Sequence, residues 1–281
     1  MRFLGAAAIR WPGTDAAAAQ ADRWDLGRRV GYDKTAGDRS YRARAWRSAW
    51  AWCWELLVPI LASYGYEVQT LDLPGLGDDA TPPAHVHLAD YVDRIVEVLR
   101  SRHAPALVLA HSMGGVPVSQ AAENASAQVG RLVYLSAIVL KNGESMASLS
   151  LLALPQSASQ SIRPSLVEGA IEFDPALAHD VFYNRCNPQL AQRAKARLRP
   201  QAAAPISEPV TLSESNYGRI PKSYIVCTDD HAFPASAQRQ LCERAGISRI
   251  RTIVSDHSPF FSAPTELADI IREEAHADTG S

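Results

Sequence analysis

Ala106-Leu107-Val108-Leu109-Ala110-His111-Ser112-Met113-Gly114-Gly115 runs from five apolar residues through a histidine into a serine with a small residue two positions to either side. An apolar run with no polar alternation suits a strand covered on both faces. From Gly115 to about Ala127 the pattern suits a helix, so Ser112 stands where a strand turns into a helix. That is the setting of a nucleophile elbow, whose usual pattern is G-x-S-x-G. The tight turn brings neighbouring backbone close, so the residues two before and two after the serine must be small. Ala110 replaces the first glycine and Gly114 fits. Such a turn presents the Ser112 hydroxyl above the sheet, near the positive end of the following helix, and aims the Met113 N–H at a developing oxyanion. The bland alternative is a glycine-rich turn carrying an ordinary serine.

On both sides the same rhythm continues. Upstream, Trp54–Ser63 carries Leu56, Leu57, Ile60 and Leu61 at helical spacing around Pro59. Glu67–Leu73 alternates like a strand and stops at Pro74-Gly75, and Leu88–Leu99 has a helical apolar stripe. Downstream, strands are expected at Leu132–Leu135, Ser223–Cys227 and Ile250–Val254, with helices near Ala235–Ala245 and Pro264–Glu274. Alternating helices and apolar strands mean an α/β fold, a mostly parallel sheet flanked by helices. Residues 140 to about 218 break the rhythm, with a helical patch near Leu190–Leu198. An insertion of that kind sits above the carboxyl ends of the strands, where ligands bind.

Composition sets wider bounds. The 281 residues suffice for one large domain, and 47% hydrophobic with 21% charged residues excludes wholesale disorder. Twenty-eight basic against 30 acidic side chains leave a net charge of -2, so no nucleic-acid or anionic-membrane partner is expected. No apolar run approaches the ~18 residues of a spanning helix. Met1–Ile9 mimics a signal peptide, but Arg10 cuts it short. Cys53, Cys186, Cys227 and Cys242 lie far apart without C-x-x-C spacing, so neither a metal site nor a disulfide framework is expected, and a cytoplasmic location fits. Residues 1–50 differ sharply from the rest, with nine arginines, twelve alanines and only five residues from Val, Ile, Leu and Phe. They show no periodicity that assigns a core-forming element, and an irregular N-terminal segment is expected there.

A serine nucleophile needs a base, and the base an orienting acid, in the chain order Ser, acid, His for this arrangement. His179 falls in the insertion and His276 in a polar tail. His257 follows the strand Ile250–Val254 in Ser255-Asp256-His257-Ser258, the right place for a base. Asp229 and Asp230 follow the strand Ser223–Cys227, one strand-helix unit earlier, with Asp230 the better placed and Asp229 its competitor. His231 reads as a loop histidine, and His111 as packing under the elbow.

At these residues the chain resembles a known family. Ala51-Trp52-Cys53-Trp54-Glu55, Leu71-Asp72-Leu73-Pro74-Gly75, the elbow, Tyr224-Ile225-Val226-Cys227-Thr228-Asp229-Asp230 and Ser255-Asp256-His257 look like the α/β-hydrolase branch of plant methylesterases, hydroxynitrile lyases and related bacterial esterases. The resemblance covers about residues 51–275. It implies an eight-stranded, mostly parallel sheet under a small helical cap at roughly 140–218. It also implies Ser112, Asp230 and His257 as catalytic triad, no cofactor, and a small-molecule ester as substrate; a homodimer is left open. The acid there precedes a proline by four, which favours Asp230 before Pro234.

The family's pattern places His-Gly-x, directly after an apolar strand, ten residues before the position of Glu55, and that turn supplies a second oxyanion N–H. Here Ala45, Trp46 and Arg47 stand in those positions, leaving the Arg47 N–H as the candidate donor. Asp38–Arg44 holds no aliphatic residue larger than alanine, so a buried parallel strand is not expected from it. A reading frame displaced by one nucleotide over about residues 32–50 would account for this; the alternative is a genuine divergent extension. Arg42-Ala43-Arg44-Ala45-Trp46 can be encoded by CGT GCT CGT GCA TGG, which one nucleotide later reads Val-Leu-Val-His-Gly. The functional expectation is a carboxyl-ester hydrolase. Its rivals are cyanohydrin cleavage on the same fold and a binding protein that keeps the pocket without an effective oxyanion hole.

Overall fold

The computed structural model describes residues 5–10, 51–77, 79–149 and 160–277. Among them the main sheet is six-stranded, in the order β2-β1-β3-β4-β8-β9. Its strands are β1 (Gly5–Arg10), β2 (Glu67–Thr70), β3 (Ala106–His111), β4 (Val129–Leu135), β8 (Lys222–Cys227) and β9 (Ile250–Ile253). Between β4 and β8, the short strands β5 (Ile162–Pro164), β6 (Ala170–Phe173) and β7 (Gln201–Ala202) form a separate antiparallel sheet. The helices are α1 (Leu57–Ser63), α2 (Leu88–Arg100), α3 (Gly115–Asn124), α4 (Ala178–Phe182), α5 (Pro188–Lys195), α6 (Ala204–Ser207), α7 (Ala235–Arg244), α8 (Pro259–Ser262) and α9 (Pro264–His276).

The strands β3, β4, β8 and β9 pair in parallel, as the apolar runs require. All six residues of β3 are buried, and alternate residues feed two cores. Val108 and Ala110 face one side with Leu132, Tyr134, Ile95, Leu99, Val116 and Leu241. Leu107 and Leu109 face the other with Val133, Leu135, Trp54, Leu57, Leu267 and Ile271. Burial on both faces is what keeps Ala106–Ala110 wholly apolar, each large aliphatic side chain contributing about 1.5–3 kcal/mol. Pro59 is the third residue of α1, where the helix has no internal acceptor for an N–H, so the helix tolerates it.

The N-terminal segment departs from expectation. No periodicity in residues 1–50 marks a core-forming element, yet Gly5–Arg10 lies inside the sheet as β1, between β2 and β3. It runs antiparallel to both neighbours, with Gly5 opposite His111, Ile9 opposite Leu107 and Val68, and Arg10 opposite Glu67. Two edges left open by β2 and β3 supply the hydrogen-bonding partners that a weakly patterned segment needs, and Ala8 and Ile9 are buried there. The family resemblance implied eight strands; the described main sheet has six and is mixed, because β1 is reversed. The cap also differs from a purely helical one, since β5–β7 contribute to it. Asp38–Arg44 and Arg47 lie outside the described residues.

Three contacts fix the cap above the carboxyl ends of the strands. Arg199 donates to the Gly77 carbonyl at 3.2 Å, the Gln201 amide approaches the Met113 sulfur at 3.2 Å, and Glu208 accepts from the Leu88 N–H at 2.5 Å, at the positive end of α2. Among the described residues no helix is long and apolar enough to cross a membrane.

Candidate active site

The strand β3 ends in His111, and the chain then tightens into a 3-10 turn over Ser112–Gly114 before α3 begins. Ser112 has φ of 55°, the left-handed region that a non-glycine residue occupies only where its surroundings enforce it. Two contacts enforce it here. The Ile138 N–H donates to the Ser112 carbonyl at 2.9 Å, and a side chain at Gly115 would bring Cβ within 2.0 Å of the Ile138 carbonyl oxygen. Only glycine lets the start of α3 sit so close to the end of β4. Met113 follows Ser112 in the 3-10 turn and is buried.

Ser112, His257 and Asp230 meet in one chain of hydrogen bonds. Ser112 Oγ lies 2.9 Å from His257 Nε2, and His257 Nδ1 lies 2.7 Å from Asp230 Oδ2. All three residues are buried. The second oxygen of Asp230 accepts from the Ala232 and Phe233 N–H groups, each at 2.8 Å. These two bonds fix the orientation of the carboxyl group. Asp229, the competing acid, turns outward and pairs with Arg185 at the surface.

The remaining histidines are engaged elsewhere. His111 Nε2 donates to the His257 carbonyl at 2.8 Å, and the two rings lie 4.7 Å apart with Phe260 edge-on at 5.1 Å from His111. His111 thus packs beneath the elbow and braces the loop of His257. His179 contacts Asp180, His231 the Asp180 carbonyl, and His276 the Tyr66 hydroxyl. Burial raises the pKa of all four thiols, Cys242 to about 11, and carries Cys53, Cys186 and Cys227 further, so each is a neutral thiol rather than a competing nucleophile.

Two residues of the site were missed by sequence reasoning. Ser136, directly after β4, has φ of 41° and donates its hydroxyl to Asp230 Oδ2, the oxygen that also meets His257. Gln238 on α7 holds the Phe233 carbonyl at 2.6 Å and reaches Asp230 Oδ2 at 3.4 Å. The available signal for Ser136 was a polar residue immediately after the apolar run Leu132–Leu135. For Gln238, inside an amphipathic helix, there was none.

A serine on a strained turn after a parallel strand, bonded to a histidine after a later one, is a family arrangement, and the matches agree. Residues 37–270 match a family described as "Alpha/beta hydrolase family". The chain belongs to the α/β-hydrolase family. Within it, this α/β hydrolase falls in the methylesterase-like branch. It is 28% identical over 239 residues to Methylesterase 7 of Arabidopsis thaliana, covering 80% of this chain and 92% of that one. It is similar to the crystal structure of a pyrethroid hydrolase from Sphingobium faniae JZ-2, with a TM-score of 0.71 and 25% identity over 80% of this chain and 92% of that one. Other Arabidopsis thaliana relatives carrying methylesterase names are longer, and this α/β hydrolase spans 53%, 61% and 53% of three of them.

Proposed function

We propose that this α/β hydrolase is a serine hydrolase that cleaves small carboxylic esters. The observation that carries the reading is the hydrogen-bond chain from Ser112 through His257 to Asp230, with the serine on a strained turn above the sheet. Relatives named as methylesterases support the same class of chemistry.

In the proposed mechanism Ser112 Oγ attacks the ester carbonyl carbon as its proton passes to His257 Nε2. The carbonyl oxygen becomes an oxyanion facing the Met113 N–H, a donor contributing on the order of 3–4 kcal/mol in such sites. The intermediate collapses, His257 returns the proton to the leaving oxygen, and an alcohol departs from acyl-Ser112. Water, deprotonated by His257, then releases the acid and regenerates the serine. Asp230 stays ionised, holding the Nδ1–H tautomer and balancing the imidazolium. Phe182, with its ring 5.7 Å from that of His257, gives the base an apolar neighbour that suits an apolar ester, while Phe260 and Trp54 pack edge-on against His111 beneath it.

Turnover of p-nitrophenyl and methyl aryl esters of several chain lengths, with Ser112→Ala as control, tests the reading. Ser112-dependent hydrolysis is expected; ligand-induced thermal stabilisation without turnover at any chain length would mark a binding protein instead. Cyanohydrin cleavage is not favoured. In lyases of this branch a lysine follows the histidine and its charge stabilises departing cyanide, whereas here the position is Ser258, which is uncharged and buried. Mandelonitrile should release no cyanide above background, and Ser112-dependent release would overturn that expectation.

A further inference from the structure

Seven cap residues, Asp180 to Cys186, touch both loops that carry the proposed acid and base. The Asp180 carbonyl accepts from His231 Nδ1 at 2.8 Å, and the Phe182 ring packs on His257. Asn184 Nδ2 donates to the Asp229 carbonyl at 3.0 Å, while the Arg185 guanidinium pairs with the Asp229 carboxylate. The Arg185 N–H donates to Asp256 Oδ2 at 2.9 Å, and the Cys186 thiol reaches the same oxygen at 3.2 Å. Asp256 is fully buried, and its other oxygen accepts from the Ser258 N–H at 3.0 Å and the Ser262 hydroxyl at 2.8 Å. Three consecutive cap residues therefore grip Asp229 and Asp256, the chain neighbours of Asp230 and His257.

The strands alone do not fix the loops to this degree. The strands β8 and β9 pair through Cys227 opposite Ile253, and beyond them Asp229 N–H still bonds the Ser255 carbonyl at 3.0 Å. Asp230 and His257 lie past that last rung, so their separation depends on what holds the loops outside the sheet. We propose that Asn184-Arg185-Cys186 is a positioning strap that sets the placement of His257 against Asp230, so that the seating of the cap controls the chemical step and not only substrate capture. The proposal rests on the triad reading above. A misplacement of about 1 Å costs such a site on the order of 100-fold in rate, so a strap gripping both loops has leverage on turnover.

The test pairs Asp256→Asn, whose single carbonyl oxygen cannot serve both the strap's two donors and the Ser258 N–H and Ser262 hydroxyl, with the surface double variant Asn184→Ala/Arg185→Ala. The second variant decides the matter if the first fails to fold. For each, kcat and KM on the best ester are measured beside Tm and the low-field proton resonance of His257 Nδ1–H in the substrate-free protein. The strap predicts kcat lower by about 10- to 100-fold with KM changed by less than about threefold, and a broadened or lost resonance. A cap that merely packs against the loops would instead lower Tm, or raise KM, with kcat and the resonance as in the wild type, and either result overturns the strap. Absence of Ser112-dependent turnover in the wild type would remove the triad reading itself, and the resonance would still report whether the strap orders His257.

Discussion

Replacing Ser112 by alanine is expected to lower ester turnover by at least about ten-thousand-fold, and His257→Ala to do the same, with the double variant no worse than either. Residues acting as one unit lose activity together. Without the base the hydroxyl is a weak nucleophile, and without the hydroxyl the base has nothing to activate. Neither change should unfold the protein. The Ser112 hydroxyl bonds His257, and the turn is held by backbone and by Gly115, which both variants retain. Thermal unfolding of Ser112→Ala should therefore stay close to that of the wild type, since alanine keeps the strained φ that the site already bears. His179→Ala serves as the control, because the His179 side chain is exposed and bonds its neighbour Asp180. Steady-state kinetics on one ester decide the outcome. Retention of more than a few per cent of activity by Ser112→Ala would remove the elbow from the mechanism.

Which parts of this site can be read from a sequence follows from how each residue is held. The turn at Ser112 is legible because a doubly buried strand must be a continuous apolar run, and its abrupt end in small residues marks the turn. His257 and the Asp229-Asp230 pair are legible for the same reason, each lying just past such a run. The preference for Asp230 over Asp229 is carried by the spacing to Pro234 more than by pattern, since adjacent residues in a loop differ only in where they face, and the outward pairing of Asp229 with Arg185 depends on a cap residue 44 positions away. Ser136 contributes through a bond spanning 94 residues, which local pattern does not encode. The strand β1 is the extreme case. Gly5-Ala6-Ala7-Ala8-Ile9-Arg10 carries neither alternation nor β-branched residues apart from Ile9, and only the gap between β2 and β3 gives it strand character.

That gap carries the second large prediction. In a parallel strand the carboxyl end reaches the catalytic edge, and the turn that follows offers an N–H beside the nucleophile. With β1 reversed, Gly5 lies opposite His111 while Arg10 pairs with Glu67 at the far end of β2, so the carboxyl end of β1 lies at the edge away from Ser112. The strand β1 therefore fills the gap between β2 and β3 without bringing its carboxyl end to Ser112. Residues 32–50 read one nucleotide later would supply an apolar strand ending in His-Gly, ten residues before Glu55. That strand would compete with β1 for the same two edges, and its larger side chains and parallel direction favour it. A chain carrying the displaced reading is expected to turn over esters at least ~100-fold faster than the chain with Asp38–Arg44 and Trp46, from the added oxyanion donor alone. It should also resist unfolding better, because Val and Leu would bury more apolar surface than Ala8 offers in the same slot. Sequencing the coding region across residues 30–52 and assaying both chains on one ester settles the matter. A verified frame for the present chain, together with full activity in it, would mean that β1 or its flanking backbone supplies the second donor, and the displaced reading would be abandoned.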